Sequence, residues 1–233
     1  MKQQPLVSIL LPIYNAAPYL KPCLQSLLSQ SYRNIEIIAF DDYSKDRSYQ
    51  ILKSFKKKDK RLRVYKNKKR YGMAVCFNRA LRRAKGTLIA FMDAHDLATK
   101  DKIKRQVYFL LSHSNVAAVG TRAVIIDNHG KKLSKTTLQF ETTMINKMLL
   151  PKDLLRFSQV DTPIIFTDLF TKIVPYGEIA NLPWVLYQKR QVENTSIKVL
   201  KLIPPVIRLW LTSFVSDYHF PIRSLFTPII RQV

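Results

Sequence analysis

Three β-rich, almost wholly apolar runs punctuate the chain, at residues 6–13, 35–40 and 88–92. Runs of this length without regular polar alternation predict strands covered on both faces. Between them the apolar period changes. Leu20, Leu24, Leu27 and Leu28 share one face of a helix predicted over residues 18–30. Tyr49, Leu52 and Phe55 do the same over residues 47–55, and Val75, Leu81 and Ala84 over residues 72–84, with Gly86 as its C-cap. Ile103, Val107, Leu110 and Leu111 line a fourth helix over residues 99–113. A short strand at 62–65, another at 116–127 and a turn at Asn128-His129-Gly130 complete the pattern. Strands alternating with helices predict an α/β fold, a largely parallel sheet flanked by helices.

In such a sheet the C-terminal ends of the parallel strands lie on one edge. Three of these ends carry polar groups. The first run gives way to Tyr14 and Asn15, with Pro12 at its end. The second ends in Asp41, Asp42 and Asp46, and the third in Asp93, His95 and Asp96. Far apart in sequence, these clusters converge in space and suit a polar ligand held through a divalent cation. The plainer alternative is a helix N-cap for Asp96, and loop solvation or N-capping for Asp42 and Asp46.

Composition narrows the partners. The 233 residues include 39 Lys plus Arg against 16 Asp plus Glu, a formal net charge of +23, which implies anionic partners. At 47% hydrophobic content the chain has the material for a real core. Cys23 and Cys76 form no pairing framework, so a reduced, cytoplasmic setting is expected. The N-terminal run is strand-like rather than a signal peptide, and no apolar run is long enough to cross a bilayer.

Read together, VSILLPIYN, LQSLLSQSYRNIEIIAFDDYSKDRS, residues 72–78, AKGTLIAFMDAHD and DKIKRQVYFLL resemble, in order and spacing, the family 2 glycosyltransferases over about residues 6–130. The resemblance implies a GT-A fold, a Rossmann-like nucleotide-binding domain, and inverting transfer of a sugar from a nucleotide diphosphate sugar to a glycan or lipid-linked acceptor. It implies that Pro12, Tyr14 and Asn15 line the nucleotide pocket, that Asp41 and Asp42 accept hydrogen bonds from base and ribose, and that Asn67 and Gly72 bound a loop closing over the base. Asp93, His95 and Asp96 match a DXD-type motif, which holds Mn²⁺ or Mg²⁺ against the diphosphate.

Three features depart from the family pattern. His95 stands where an aspartate is common; imidazole suits Mn²⁺ better than Mg²⁺, and either Asp93 and Asp96 carry the metal with His95 as a softer ligand or a bystander, or metal affinity is reduced. Tyr43 stands where the family has a small residue, often glycine. Ile165-Phe166 occupies the place of the Glu-Asp pair that supplies the catalytic base, leaving Asp161 and Asp168 as the nearest carboxylates, with Glu178 beside a glycine turn. The alternative implied is a degenerate member that keeps the fold without transferring sugar.

The chain thus divides into a nucleotide-sugar-binding core at 1–130, a shortened acceptor-side part at 131–197 and an apolar, basic helical appendage at 198–233. In that appendage Pro204-Pro205 precedes Trp210 and Phe214, with Arg208, Arg223 and Arg231 as flanking cations. Its composition suits a surface-lying membrane segment on the inner face of the cell membrane. The basic run 56–70 offers a solvated face, contact with anionic lipid or guidance of an anionic donor. No recognisable nucleic-acid module accompanies it, so nucleic acid is not expected as a partner.

Overall fold

The computed structural model describes residues 4–150, 172–191 and 231–232, with backbone alone for 134–143 and 231–232. The three apolar runs form β1 (Val7–Ile13), β2 (Ile35–Asp41) and β4 (Leu88–Phe91), with β3 (Leu62–Lys66) beside β2. All three contacts within this group are parallel: β1 pairs with β2 and β4, and β2 with β3. Next come β5 (Leu97–Ala98), β6 (Val116–Ile126), β7 (Lys132–Asn146), β8 (Glu178–Arg190) and β9 (Arg231–Gln232). The sheet order is β3-β2-β1-β4-β7-β6-β8-β5, with β9 on β8. The sheet is mixed, because β7 runs antiparallel between β4 and β6.

The helices are α1 (Ala17–Leu28), α2 (Ser48–Lys58), α3 (Met73–Leu81) and α4 (Lys102–Ser112). Strand alternation sorts them between the two faces. Val7, Ile9, Leu11 and Ile37 point to the side packed by α1, by Leu52 of α2 and by Ile103 and Val107 of α4. Leu10, Ile38, Phe40, Ile89 and Phe91 point to the side packed by α3. Each strand is apolar on both sides, which is why its sequence shows no alternation.

Two helix faces differ from expectation. On α3 the buried residues are Ala74, Cys76, Phe77 and Ala80, not Val75; Phe77 sets the phase, its ring edge-on to Phe91 at 5.4 Å between centroids. On α4 Leu111 is 59% exposed, because Ile103, Val107 and Leu110 already complete the buried stripe. Nor is Gly86 a helix cap. The helix ends at Leu81, and Gly86 lies where the chain crosses β1: an added Cβ would stand 2.5 Å from the Leu6 carbonyl oxygen and 2.8 Å from the Ser8 nitrogen. The appendage at 198–233 lies outside the described residues except for 231–232. Among the described residues, no helix is long and apolar enough to cross a membrane.

A candidate donor and cation site

Strand order runs outward from β1 in both directions, to β2-β3 and to β4. The crevice at the C-terminal ends of β1 and β4 is therefore the topological switch point, where open α/β sheets bind ligands. The predicted clusters lie around it, on the loops that leave β1, β2 and β4.

On the β1 and β2 side the loops are tied to each other. Asn15, at a φ of 48°, donates its backbone N–H to Ser44 Oγ at 3.0 Å, and its side-chain oxygen accepts from the Lys45 N–H at 2.9 Å. Asp46 accepts from the Ala17 N–H and the Ser48 N–H, both at 2.9 Å, and so joins the starts of α1 and α2. Tyr43 has a φ of 63°, the left-handed region that favours glycine. Its ring lies outward under the Lys45 ammonium, 3.8 Å from the centroid, and is 37% exposed.

The two adjacent aspartates have separate environments. Asp42 is buried and its carboxylate accepts from the Asn67 amide at 2.7 Å, the Tyr71 N–H at 2.9 Å and the Gly72 N–H at 2.7 Å. It therefore anchors the loop of residues 67–72, whose Gly72 sits at a φ of 89°. Asn67 faces inward, donating to Asp42 and accepting from Arg79. The loop reaches back over β1: the Arg70 guanidinium lies 4.2 Å above the ring of Tyr14, itself 41% exposed. Asp41 differs. One oxygen accepts from the Ser44 N–H at 3.2 Å, and the other, Oδ1, is buried without a hydrogen-bond donor. Burial pushes the Asp41 carboxyl up from its ordinary value.

Beyond β4, Asp93, His95 and Asp96 present ligand atoms within 4.8 Å of one another, a spacing and donor set that fit a divalent cation. They are not equivalent. Asp93 and His95 are partly exposed, whereas Asp96 is fully buried. Asp96 accepts from the Tyr187 hydroxyl and from the Arg190 backbone N–H, both at 2.6 Å, and lies 3.6 Å from His95 Nε2. Burial, and then the charge of Asp93, push the Asp96 carboxyl up to about 6. The neighbouring charge works against the ionised form of Asp96, and a bound cation relieves that repulsion. The Arg190 Nε donates to the His95 carbonyl at 2.8 Å, fixing the backbone of the same turn.

Tyr187 and Arg190 are functional candidates that sequence reasoning did not single out. They reach the site because β8 pairs antiparallel with β5, matching Ala98 to Tyr187 and Leu97 to Gln188. Asp161, Asp168 and the Ile165-Phe166 position lie outside the described residues. Glu178, at the start of β8, is exposed.

Behind Tyr187, Lys102 is almost completely buried. Its ammonium donates to Gln106 Oε1 at 3.0 Å and stands 6.0 Å from the Tyr187 ring centroid. Burial pulls its pKa from 10.5 down to about 7. Between those values the unfolded chain holds a proton that the folded chain lacks, so the lysine's cost is full below pH 7 and fades toward pH 10.5. Lys102→Met is therefore expected to stabilise the fold at pH 6–7 by a few kcal/mol, at about 1.4 kcal/mol per pKa unit, with the gain vanishing near pH 10.5. Denaturant unfolding of both proteins across this range checks it; parallel pH profiles contradict it.

A family model described as Glycosyl transferase family 2 matches residues 8–167. An uncharacterized glycosyltransferase of Haemophilus influenzae is 38% identical over 133 residues, 57% of this chain and 53% of the relative. The putative teichuronic acid biosynthesis glycosyltransferase TuaG of Bacillus subtilis is 40% identical over 111 residues, 48% of this chain and 44% of the relative. The chain thus spans about half the length of the curated relatives it matches. Among solved structures, residues 1–349 of S. aureus TarS in complex with UDP-GlcNAc superpose with a TM-score of 0.70 at 20% identity, covering 83% of this chain and 60% of that one. The mannosyltransferase PcManGT from Pyrobaculum calidifontis, in complex with GDP-Man and Mn²⁺, gives 0.67 at 20% identity, with 83% and 59% coverage. These likenesses show the fold, the GT-A arrangement expected from the sequence.

Proposed function

The chain belongs to glycosyl transferase family 2, and from that membership we propose that it transfers a sugar, with inversion, from a nucleotide diphosphate sugar to a glycan or lipid-linked acceptor. Two observations support this reading: an unpartnered acceptor, Asp41 Oδ1, at the C-terminal end of β2, and the partly exposed ligand groups of Asp93 and His95 just past the end of β4. A base or ribose presents N–H or O–H donors, which Asp41 Oδ1 lacks. Tyr14, Asn15 and the 67–72 loop anchored by Asp42 frame the nucleotide end, with Pro12 at the close of β1.

Asp93 and His95 would hold Mn²⁺ or Mg²⁺, with Asp96 as a third ligand or as the buried support beneath them. When bound, the cation offsets the charge that develops on the departing diphosphate. The acceptor hydroxyl attacks the anomeric carbon as the carbon–oxygen bond to the diphosphate breaks. The hydroxyl's proton passes to a carboxylate, for which Asp161 and Asp168 are the candidates. The acceptor belongs to cell-envelope polysaccharide synthesis, a reading supported by the likeness to TuaG, and the basic composition of the chain supports its working at the inner face of the membrane.

Supplied with Mn²⁺ and a panel of UDP-, GDP- and dTDP-sugars, the protein is expected to bind at least one saturably and to turn it over. Folded protein silent across the panel overturns the reading. Ile165-Phe166 favours a second one, a chain that binds nucleotide without transfer; saturable donor binding with no turnover on any acceptor or water is its signature.

A further inference from the structure

Residues 43–86 hold 17 lysines and arginines and only two acidic residues, Asp46 and Asp59. Both acids are already engaged: Asp46 joins two helix starts, and Asp59 pairs with Arg61 at 2.8 Å. This segment therefore carries +15 of the chain's +23. Its first part, α2 with the edge strand β3 and the loop that follows, builds one side of the molecule, while α3, which carries Arg79, packs on the opposite face of the sheet. Lys53, Lys56 and Lys57 stand at helical spacing on the outer face of α2, and Lys68, Lys69 and Arg70 follow β3; all six are exposed. Of the 17 cations, only Arg61 and Arg63 form ion pairs among the described residues. Edge strands are commonly blunted by a lysine or two, and so dense an array exceeds that need.

The aromatic residues along this side separate the possible anionic partners. A surface that binds single-stranded nucleic acid offers bare ring faces for bases to stack on. Here one face of each ring is already taken by a cation: Lys45 lies over Tyr43 at 3.8 Å, Arg70 over Tyr14 at 4.2 Å and Arg79 over Tyr71 at 4.1 Å. The three rings are nonetheless 37–41% exposed, amphipathic groups set among cations, as at a lipid headgroup boundary. We propose that the side formed by α2, β3 and the 67–72 loop is the face on which this protein rests on a bilayer of anionic lipid. Each lysine there gains from the negative surface potential, and the gain is screened by salt. Docked by this face, the molecule holds the mouth of its donor crevice next to the headgroups, within reach of a lipid-linked acceptor. Only that last consequence rests on the proposed transferase activity.

Co-sedimentation of the full chain with phosphatidylcholine vesicles, with and without phosphatidylglycerol, tests the proposal. Binding is expected only with the anionic lipid and is expected to fade at high salt. The Lys53→Glu/Lys56→Glu/Lys57→Glu variant, which loses three attractions of about 1 kcal/mol each and adds repulsion, should bind the anionic vesicles at least on the order of a hundredfold more weakly. Its circular dichroism and its binding of nucleotide in solution should be unchanged. The milder Lys56→Gln/Lys57→Gln/Lys60→Gln variant, which leaves no new charge on the helix, should show a smaller loss in the same direction. Undiminished vesicle binding by both variants overturns the proposal. So does preferential binding of single-stranded RNA over anionic vesicles by the unmodified chain. Loss of vesicle binding with nucleotide binding intact supports this face whatever the fate of the transferase reading; absence of nucleotide binding in the unmodified chain bears on that reading alone.

Discussion

Asp93→Ala is expected to lower sugar transfer on the order of a thousandfold if, as proposed, this partly exposed carboxylate holds the cation against the diphosphate. Asp93 is partly exposed, with Asp96 buried behind it and the imidazole of His95 at its side. The loss should therefore fall on cation-dependent steps. Binding of nucleotide in the absence of metal, which depends on Asp41 and the loops around β1 and β2, should change little. The substitution also removes the second largest influence on Asp96, so the Asp96 carboxyl should return toward the ordinary carboxylate range. Calorimetric titration with nucleotide, with and without Mn²⁺, separates these effects. A variant that keeps full Mn²⁺-dependent transfer contradicts the assignment.

Tyr187→Phe is the second substitution expected to have a large effect, through Asp96, the carboxylate that its hydroxyl supports. The hydroxyl donates to Asp96 at 2.6 Å inside a fully buried pocket. Removing it leaves a buried carboxylate short of one donor, at about 1.5–3 kcal/mol for a hydrogen bond to a charged group. Groups that orient metal ligands from behind typically change metal affinity ten- to hundredfold when lost. Mn²⁺ affinity, measured by titration, should fall by such a factor, together with a lower melting temperature. Unchanged affinity with the lowered melting temperature would make Tyr187 a purely structural partner of Asp96. Arg190→Lys should act in the same direction, because lysine keeps the charge but not the Nε donor to the His95 carbonyl.

The first half of the sheet was legible because β1, β2 and β4 are apolar on both faces, a pattern that few other structures produce. Their polar exits followed directly, since parallel strands end on one edge. The adjacent Asp41 and Asp42 looked alike in sequence. Their difference arises from register: Asp41 is the last residue of β2, paired with Ile13, and Asp42 is the first beyond it, turned into the 67–72 loop. Tyr187 and Arg190 were out of reach for another reason. They lie 91 and 94 residues from Asp96, and only the pairing of β8 with β5 brings them together. No local period signals a contact of that kind. The phase of α3 was misread because Val75 has the more typical core side chain, whereas the larger Phe77 decides which face turns inward. Tyr43 is a further case. Its left-handed φ, the region that favours glycine, costs a tyrosine about 1–3 kcal/mol of local strain, and nothing in the periodicity of the sequence signals it.

The central claim is that Asp93 and His95 hold a divalent cation beside a nucleotide diphosphate, and pulsed electron paramagnetic resonance of Mn²⁺ tests it most directly. With Mn²⁺ and the donor nucleotide that binds best, the echo should carry modulation from an imidazole nitrogen and from diphosphate phosphorus. The nitrogen modulation should vanish in His95→Asp while the phosphorus coupling persists. A wild-type spectrum showing bound Mn²⁺ with neither coupling, or no bound Mn²⁺ at all, would contradict the account.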